Sequence, residues 1–163
     1  MKDLVVLVAD RNMEVAVKTL IEKRYKSLGI RQVQADFFVH QPHCNKYYYA
    51  LVMFDHEGCG QENRPAWQVE QEVKERLEQT GWQGRCEVIV LEPELEAWVW
   101  SSSPHVPEAL GLTPEQMQQI LQRFPQNRLG KPQRPKEAME ECLRQAKSLA
   151  LPASTPNWRK PSV

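Results

Sequence analysis

The chain has 163 residues, of which 41% are hydrophobic and 26% charged, with 21 basic and 21 acidic side chains. A formal net charge of zero argues against a protein that binds DNA or an anionic membrane through its overall charge. This length is typical of one ordinary globular domain whose core needs no disulfide support.

The first residues do not predict a secretory signal, because the apolar run before Asp10 is too short for one. No segment approaches the roughly 20 apolar residues of a membrane span, so we expect no membrane partner. The cysteines lack the CxxC spacing of metal or redox motifs, and their scatter predicts a reducing cytoplasm. They are Cys44, Cys59, Cys86 and Cys142.

The first part of the chain alternates strand and helix patterns. The opening run "LVVLVA" is continuously apolar and β-branched, which predicts a strand buried on both faces. Apolar residues spaced by about 3.6 follow and predict a helix, with Asp10 or Asn12 as its N-cap and Gly29 at its end. Strands are predicted at 4–9, 33–40, 47–54 and 86–91, and a second helix at 65–80. This alternation predicts an α/β sheet with parallel strands.

The character of the sequence changes after residue 92, where ten of the twelve prolines lie. Helical patterns follow at 93–100, 113–124 and 134–150. In the first of them, Leu95, Trp98 and Val99 would share the inward face, which predicts Trp98 in the core. Trp100 would point elsewhere and pack on a neighbouring helix or on a partner. The predicted organisation is an α/β core at 1–101, a helical extension packed on it at 102–150, and a flexible tail at 151–163.

Acidic residues follow three of the predicted strands. Ligands of open α/β sheets sit beyond the carboxyl ends of the strands, and carboxylates gathered there repel each other unless a cation lies among them. Oxygen ligands of this kind suit Mg²⁺ or Mn²⁺ and phosphate substrates. The acids are Asp10 and Glu14 after the first strand, Asp55 and Glu57 after the third, and Glu92, Glu94 and Glu96 after the fourth.

A purely structural interpretation of the same acids stays open. Asp10 would then serve only as an N-cap. Glu94 and Glu96 would be first-turn acids that a helix dipole favours.

A zinc site is a further alternative. "HQPHC" and "HEGC" contain three of the four histidines of the chain, together with two cysteines, and zinc takes such ligands. The spacing matches no common zinc finger. The residues are His40, His43, Cys44, His56 and Cys59.

Positive charge is concentrated near the C-terminal end, where residues 123–136 hold five basic side chains and no acid. Such a run predicts contacts with the phosphate backbone of a nucleic acid, although a solvated loop is the alternative. The candidate nucleic-acid-binding residues are Arg128, Lys131, Arg134 and Lys136.

Four motifs in order resemble a bacterial TOPRIM-like family found with methyltransferases and ATPases in phage-defence clusters, such as methylation-associated defence systems. They are "VADRNME", "FDHEGCG", "PELEAWVWS" and "KPQRPKEA", and the resemblance covers roughly residues 4–150. It implies a Rossmann-like TOPRIM sheet of about four mostly parallel strands with flanking helices and a small C-terminal helical part.

The resemblance also implies site residues. Asp55 and Glu57 match the acidic pair that holds the divalent metal, with Asp10 as a further ligand. TOPRIM enzymes usually end the first strand with a glutamate and a glycine, whereas this chain has Ala9 and Asp10 there. Asp10 or Glu14 would then handle the proton, so the catalytic candidates are Asp10, Glu14, Asp55 and Glu57.

Three functions therefore remain open. The first is a Mg²⁺- or Mn²⁺-dependent phosphodiesterase or nuclease acting in anti-phage defence. The second is a catalytically inactive TOPRIM-like subunit that binds an ATPase or methyltransferase partner, which the departure at Ala9 favours. The third is a zinc-stabilised interaction protein.

Overall fold

The computed structural model describes residues 2–38 and 46–150. The chain forms two compact units, one that ends at Ala97 and one that begins at Trp98. Among the helices described, none has both the length and the apolar character needed to cross a membrane.

The first unit is built on a parallel sheet with the strand order β2-β1-β3-β4. This arrangement confirms the predicted α/β class with parallel strands. The strands are β1 (Lys2–Val8), β2 (Ala35–Phe38), β3 (Tyr47–Asp55) and β4 (Cys86–Leu91). The helices are α1 (Arg11–Lys23) and α2 (Ala66–Leu77), and a π-helical turn (Glu78–Trp82) follows α2.

Strand β1 is buried on both faces, as its continuous apolar run predicts. Val5 and Val6 point to opposite faces and have no exposed surface. Val6 packs in a cluster with Met13 of α1, whereas Val5 packs in a second cluster with Trp82. The sheet and the start of α1 are therefore held together by the core, which fixes the end of β1 where the candidate site begins.

Up to residue 150, the second unit has three α-helices packed around a small core. The helices are α3 (His105–Leu110), α4 (Pro114–Leu121) and α5 (Pro135–Ala150). Thr113 begins α4 with a capping box, in which its side chain accepts from the Gln116 amide and the Gln116 side chain accepts from the Thr113 amide. The core side chains are Trp100, Leu110, Leu112, Ile120, Ala138 and Cys142.

The predicted core position of Trp98 is wrong, whereas Trp100 packs against neighbouring helices, one of the two partners predicted for it. Trp98 is 47% exposed and Val99 is 36% exposed, whereas Trp100 is only 3% exposed. The reason is that the helical segment is a single 3₁₀ turn, Leu95–Trp98, so the α-helical spacing that the pattern assumed does not continue to Trp100. The Trp100 indole nitrogen instead donates to the Pro135 carbonyl at 3.1 Å.

Candidate functional site

Asp10 and Asp55 lie at the point of the sheet where its strand order reverses. The chain passes from β1 to β2 on one side and then returns to β3 on the other side of β1. Val8 of β1 pairs in register with Met53 of β3, and each acid comes two residues after its member of that pair. Both acids therefore reach the same level at the crevice where ligands of open α/β sheets bind.

Asp10 is held in place by the start of α1. It has extended backbone angles, and its Oδ1 accepts from the Met13 amide at 2.8 Å, so it is an N-cap as predicted. One helical turn on, the carboxylate of Glu14 accepts from Arg11 at 2.8 Å. Asp10 therefore already has a structural role, and Glu14 already has a cationic partner.

Asp55 is the last residue of β3, and its environment shifts its pKa strongly. Its Oδ1 accepts from the Leu95 amide at 2.9 Å. Burial raises the pKa of Asp55 from its ordinary 3.8 to about 6, although the Leu95 hydrogen bond lowers it. The negative charges that raise this pKa further are those of Glu96, Asp10 and Glu94.

Asp55 therefore feels the charge of acids that follow two other strands, β1 and β4. Glu94 and Glu96 follow β4, and Glu94 is the one charged residue of the described chain that is buried, with 8% exposure. Sequence reasoning noted both acids but left them out of the predicted ligand set. Their position directly after a buried strand was the available signal.

Glu57 occupies a different environment from Asp55. Its side chain is exposed, and it is not among the acids that raise the pKa of Asp55. Its backbone amide donates to the Pro93 carbonyl at 2.9 Å, and the His56 amide donates to the Leu91 carbonyl at 2.8 Å. The segment after β3 thus continues the contact with the segment after β4 through its backbone.

The predicted zinc ligands lie partly outside the described residues, since His40, His43 and Cys44 fall between the two described segments. The His56 ring lies 2.9 Å from the Arg64 carbonyl through Nε2, and Cys59 is a partly buried free thiol. In the described segments, no group of three or more His, Cys, Asp or Glu is arranged to hold a metal ion.

The predicted nucleic-acid-binding residues all lie in the second unit, between α4 and the first turn of α5. Arg134 pairs with Glu137 at 3.3 Å. Arg128 and Lys136 are exposed, and Lys131 is partly buried. This part of the chain therefore presents cationic groups to solvent, and Arg134 among them is paired to an acid.

Comparison with known proteins does not identify the chain. No protein-family model, curated protein or solved structure matches it.

Proposed function

We propose that the protein is a TOPRIM-like phosphodiesterase or nuclease that depends on a divalent cation and acts in bacterial anti-phage defence. The observation that carries the proposal is the position of Asp10 and Asp55, level with each other at the reversal point of a parallel sheet. Open α/β sheets bind their ligands at this place.

The acids present there fit Mg²⁺ or Mn²⁺. All are carboxylates, the hard oxygen ligands that these ions prefer. Burial raises the pKa of Asp55 most, and three neighbouring acids raise it further, so the edge holds negative charge that a cation would neutralise. Mg²⁺ needs only one or two protein carboxylates, because waters and substrate phosphates supply its other ligands.

Asp10 and Asp55 would hold the cation, with Glu96 and Glu94 contributing charge and Glu57 at the solvent-exposed rim. A bound Mg²⁺ or Mn²⁺ supplies charge neutralisation on the phosphate and a more acidic water. Glu14 lies on the first turn of α1, which makes it a candidate to accept the proton. In the second unit, the basic side chains would bind the phosphate backbone. These are Arg128, Lys131, Arg134 and Lys136.

The second candidate function is a catalytically inactive subunit that binds an ATPase or methyltransferase partner. Ala9 stands where the resemblance leads us to expect a glutamate, and its side chain carries no proton-transfer group. Asp10, the next residue, is already used as the α1 N-cap. A subunit that only binds a partner would need the folded α/β sheet but no residue that transfers a proton.

A cleavage assay separates the two candidates. We expect the wild type to cut single- or double-stranded DNA with Mn²⁺ and not with EDTA. Asp55→Asn should reduce the rate by at least about a hundredfold, the scale of losing a group that positions or moves charge in catalysis. Glu92→Gln removes an exposed acid after β4 and should leave the rate unchanged.

The other outcomes are equally informative. If the wild type cuts neither substrate with any divalent cation, the enzyme proposal fails and the binding role stands. If Asp55→Asn cuts as fast as the wild type, the carboxyl edge of the sheet is not the active site.

A further inference from the structure

The second unit contains a pocket of about 520 Å³, a volume in the range of about 300–1,000 Å³ that small-molecule sites occupy. Trp100, Met117 and Leu121 form an apolar wall. Ser101, Ser102 and Lys131 contribute hydroxyl and ammonium groups to the same pocket. The pocket therefore combines a flat apolar surface with groups that bind an anion.

One side of the pocket is a loop whose shape is fixed by Asn127. The Asn127 carbonyl oxygen Oδ1 accepts from the Leu129 and Lys131 amides at 2.9 and 3.1 Å. The backbone N–H of Asn127 donates to the Lys131 carbonyl at 2.8 Å. Gly130 adopts a positive φ of 71°, which glycine allows at little cost. The loop is thus preorganised before any ligand binds, which lowers the entropic cost of binding.

The tip of this loop displays an unusual pair of side chains. Leu129 is 81% exposed and lines the pocket, and Arg128 beside it is exposed as well. Leu129 therefore offers an accessible apolar side chain at the rim of the pocket, next to a basic one.

Charge identifies the kind of ligand. Residues 123–136 contain five basic side chains and no acid. Arg123 and Arg134 are paired with acids of α5, at 3.7 and 3.3 Å, whereas Arg128 makes no ion pair within the described residues. Lys131 contributes a basic side chain to the lining of the pocket, and Arg128 precedes the lining residue Leu129 in the chain, so the charge on this side favours an anion.

We propose that this pocket binds one nucleotide of a single-stranded nucleic acid. The base would lie against Met117, Leu121 and Leu129, and its phosphate would contact Lys131 and the Ser101 and Ser102 hydroxyls. Arg128 would contact a neighbouring phosphate of the strand. A pocket of this size accepts one base, and an unpaired base can enter it without the cost of breaking a base pair.

The inference shares a nucleic-acid ligand with the proposed function, but it needs no divalent cation and no residue of the first unit. It can therefore be tested in EDTA by fluorescence anisotropy with a short labelled thymidine oligonucleotide. A negative cleavage assay would not affect the anisotropy result. Likewise, a negative anisotropy result would not bear on the cation site of the first unit.

Three variants probe the pocket. Ser102→Trp fills it from an exposed position and should raise the dissociation constant about tenfold, because the base loses its apolar contacts with the pocket. Leu129→Ala should weaken binding to a smaller extent. Lys131→Gln should reduce the slope of log affinity against log salt by about 0.7, because one phosphate contact on a single strand is lost.

Matched controls come from the same unit. Lys147→Gln and Leu143→Ala change exposed side chains of α5 that do not line the pocket, and both should leave the dissociation constant unchanged. Circular dichroism confirms that each variant is folded.

Three results would overturn the inference. Wild-type affinity in Ser102→Trp would mean that only surface charge binds the strand. Duplex DNA binding as tightly as the single strand would exclude an unpaired base in the pocket. Thymidine monophosphate binding as tightly as the oligonucleotide would indicate a free-nucleotide site instead.

Discussion

The Asp55→Asn variant should be more stable than the wild type at about pH 8 without divalent cations, by about 2 kcal/mol in the free energy of unfolding. Burial and nearby acids raise the pKa of Asp55 to about 6, so the ionised carboxylate is unfavourable in the folded protein. Asparagine removes the charge and keeps an oxygen to accept from the Leu95 amide. The full shift in the pKa of Asp55, from 3.8 to about 6, corresponds to about 3 kcal/mol. We expect a smaller effect because water partly screens the charge of a half-buried group.

This gain should depend on pH in a defined direction. Between about pH 4 and pH 6 the folded wild type keeps a proton on Asp55 that the unfolded chain has lost. The free energy of unfolding gained from that proton is fully present below about pH 4, the pKa of Asp55 in the unfolded chain. It is lost as the pH rises through about 6, the pKa of Asp55 in the folded protein. Asp55→Asn lacks this loss, so the two proteins should have equal stability near pH 4 and diverge above it.

Urea denaturation across this pH range measures the effect, with EDTA present throughout. Glu92→Gln serves as the control, because it removes an exposed acid of the segment after β4 and should follow the wild-type curve. A difference that does not vary with pH, or a less stable Asp55→Asn variant at about pH 8, would contradict the environment described for Asp55.

Trp100→Ala should lower the free energy of unfolding of the second unit by about 4 kcal/mol, within the range measured for large buried aromatic residues. Trp100 is 3% exposed and packs with Leu110, Ile120 and Cys142. The substitution would leave a cavity and would also remove the donor to the Pro135 carbonyl. Thermal or urea unfolding followed by circular dichroism measures the loss.

Trp98→Ala provides the matched comparison, because the two residues have the same side chain two positions apart. Trp98 is 47% exposed, and its replacement should change stability by no more than about 0.5 kcal/mol. Equal losses for the two variants, or a larger loss at Trp98, would favour the helical interpretation that the sequence pattern suggested.

The sheet was predictable because its strands carry strong local signals. The run that forms β1 is continuously apolar and β-branched, and a strand with that composition must be covered on both faces. The position of Asp10 and Asp55 followed from topology, since parallel strands bring their carboxyl ends to one edge. The N-cap role of Asp10 could likewise be predicted from its place before an apolar-periodic segment.

Periodicity could not predict the segment after β4. The pattern around Trp98 and Trp100 resembles a helix, but the structure allows only one 3₁₀ turn there. Replacing an α-helix by a single 3₁₀ turn changes which of the two tryptophans is buried, and no local spacing rule encodes it. The burial of Glu94 and the exposure of Glu57 have the same origin, because both depend on how two irregular segments meet.

Calorimetric titration with Mn²⁺ near neutral pH measures directly whether the carboxyl edge of the sheet binds a divalent cation. We expect the wild type to bind, Glu92→Gln to bind equally well, and both Asp55→Asn and Asp10→Asn to bind at least about tenfold more weakly. Asparagine at position 10 preserves the N-cap, so a loss there reports on charge. Equal Mn²⁺ affinity in all four proteins, or no binding by the folded wild type, would contradict the account.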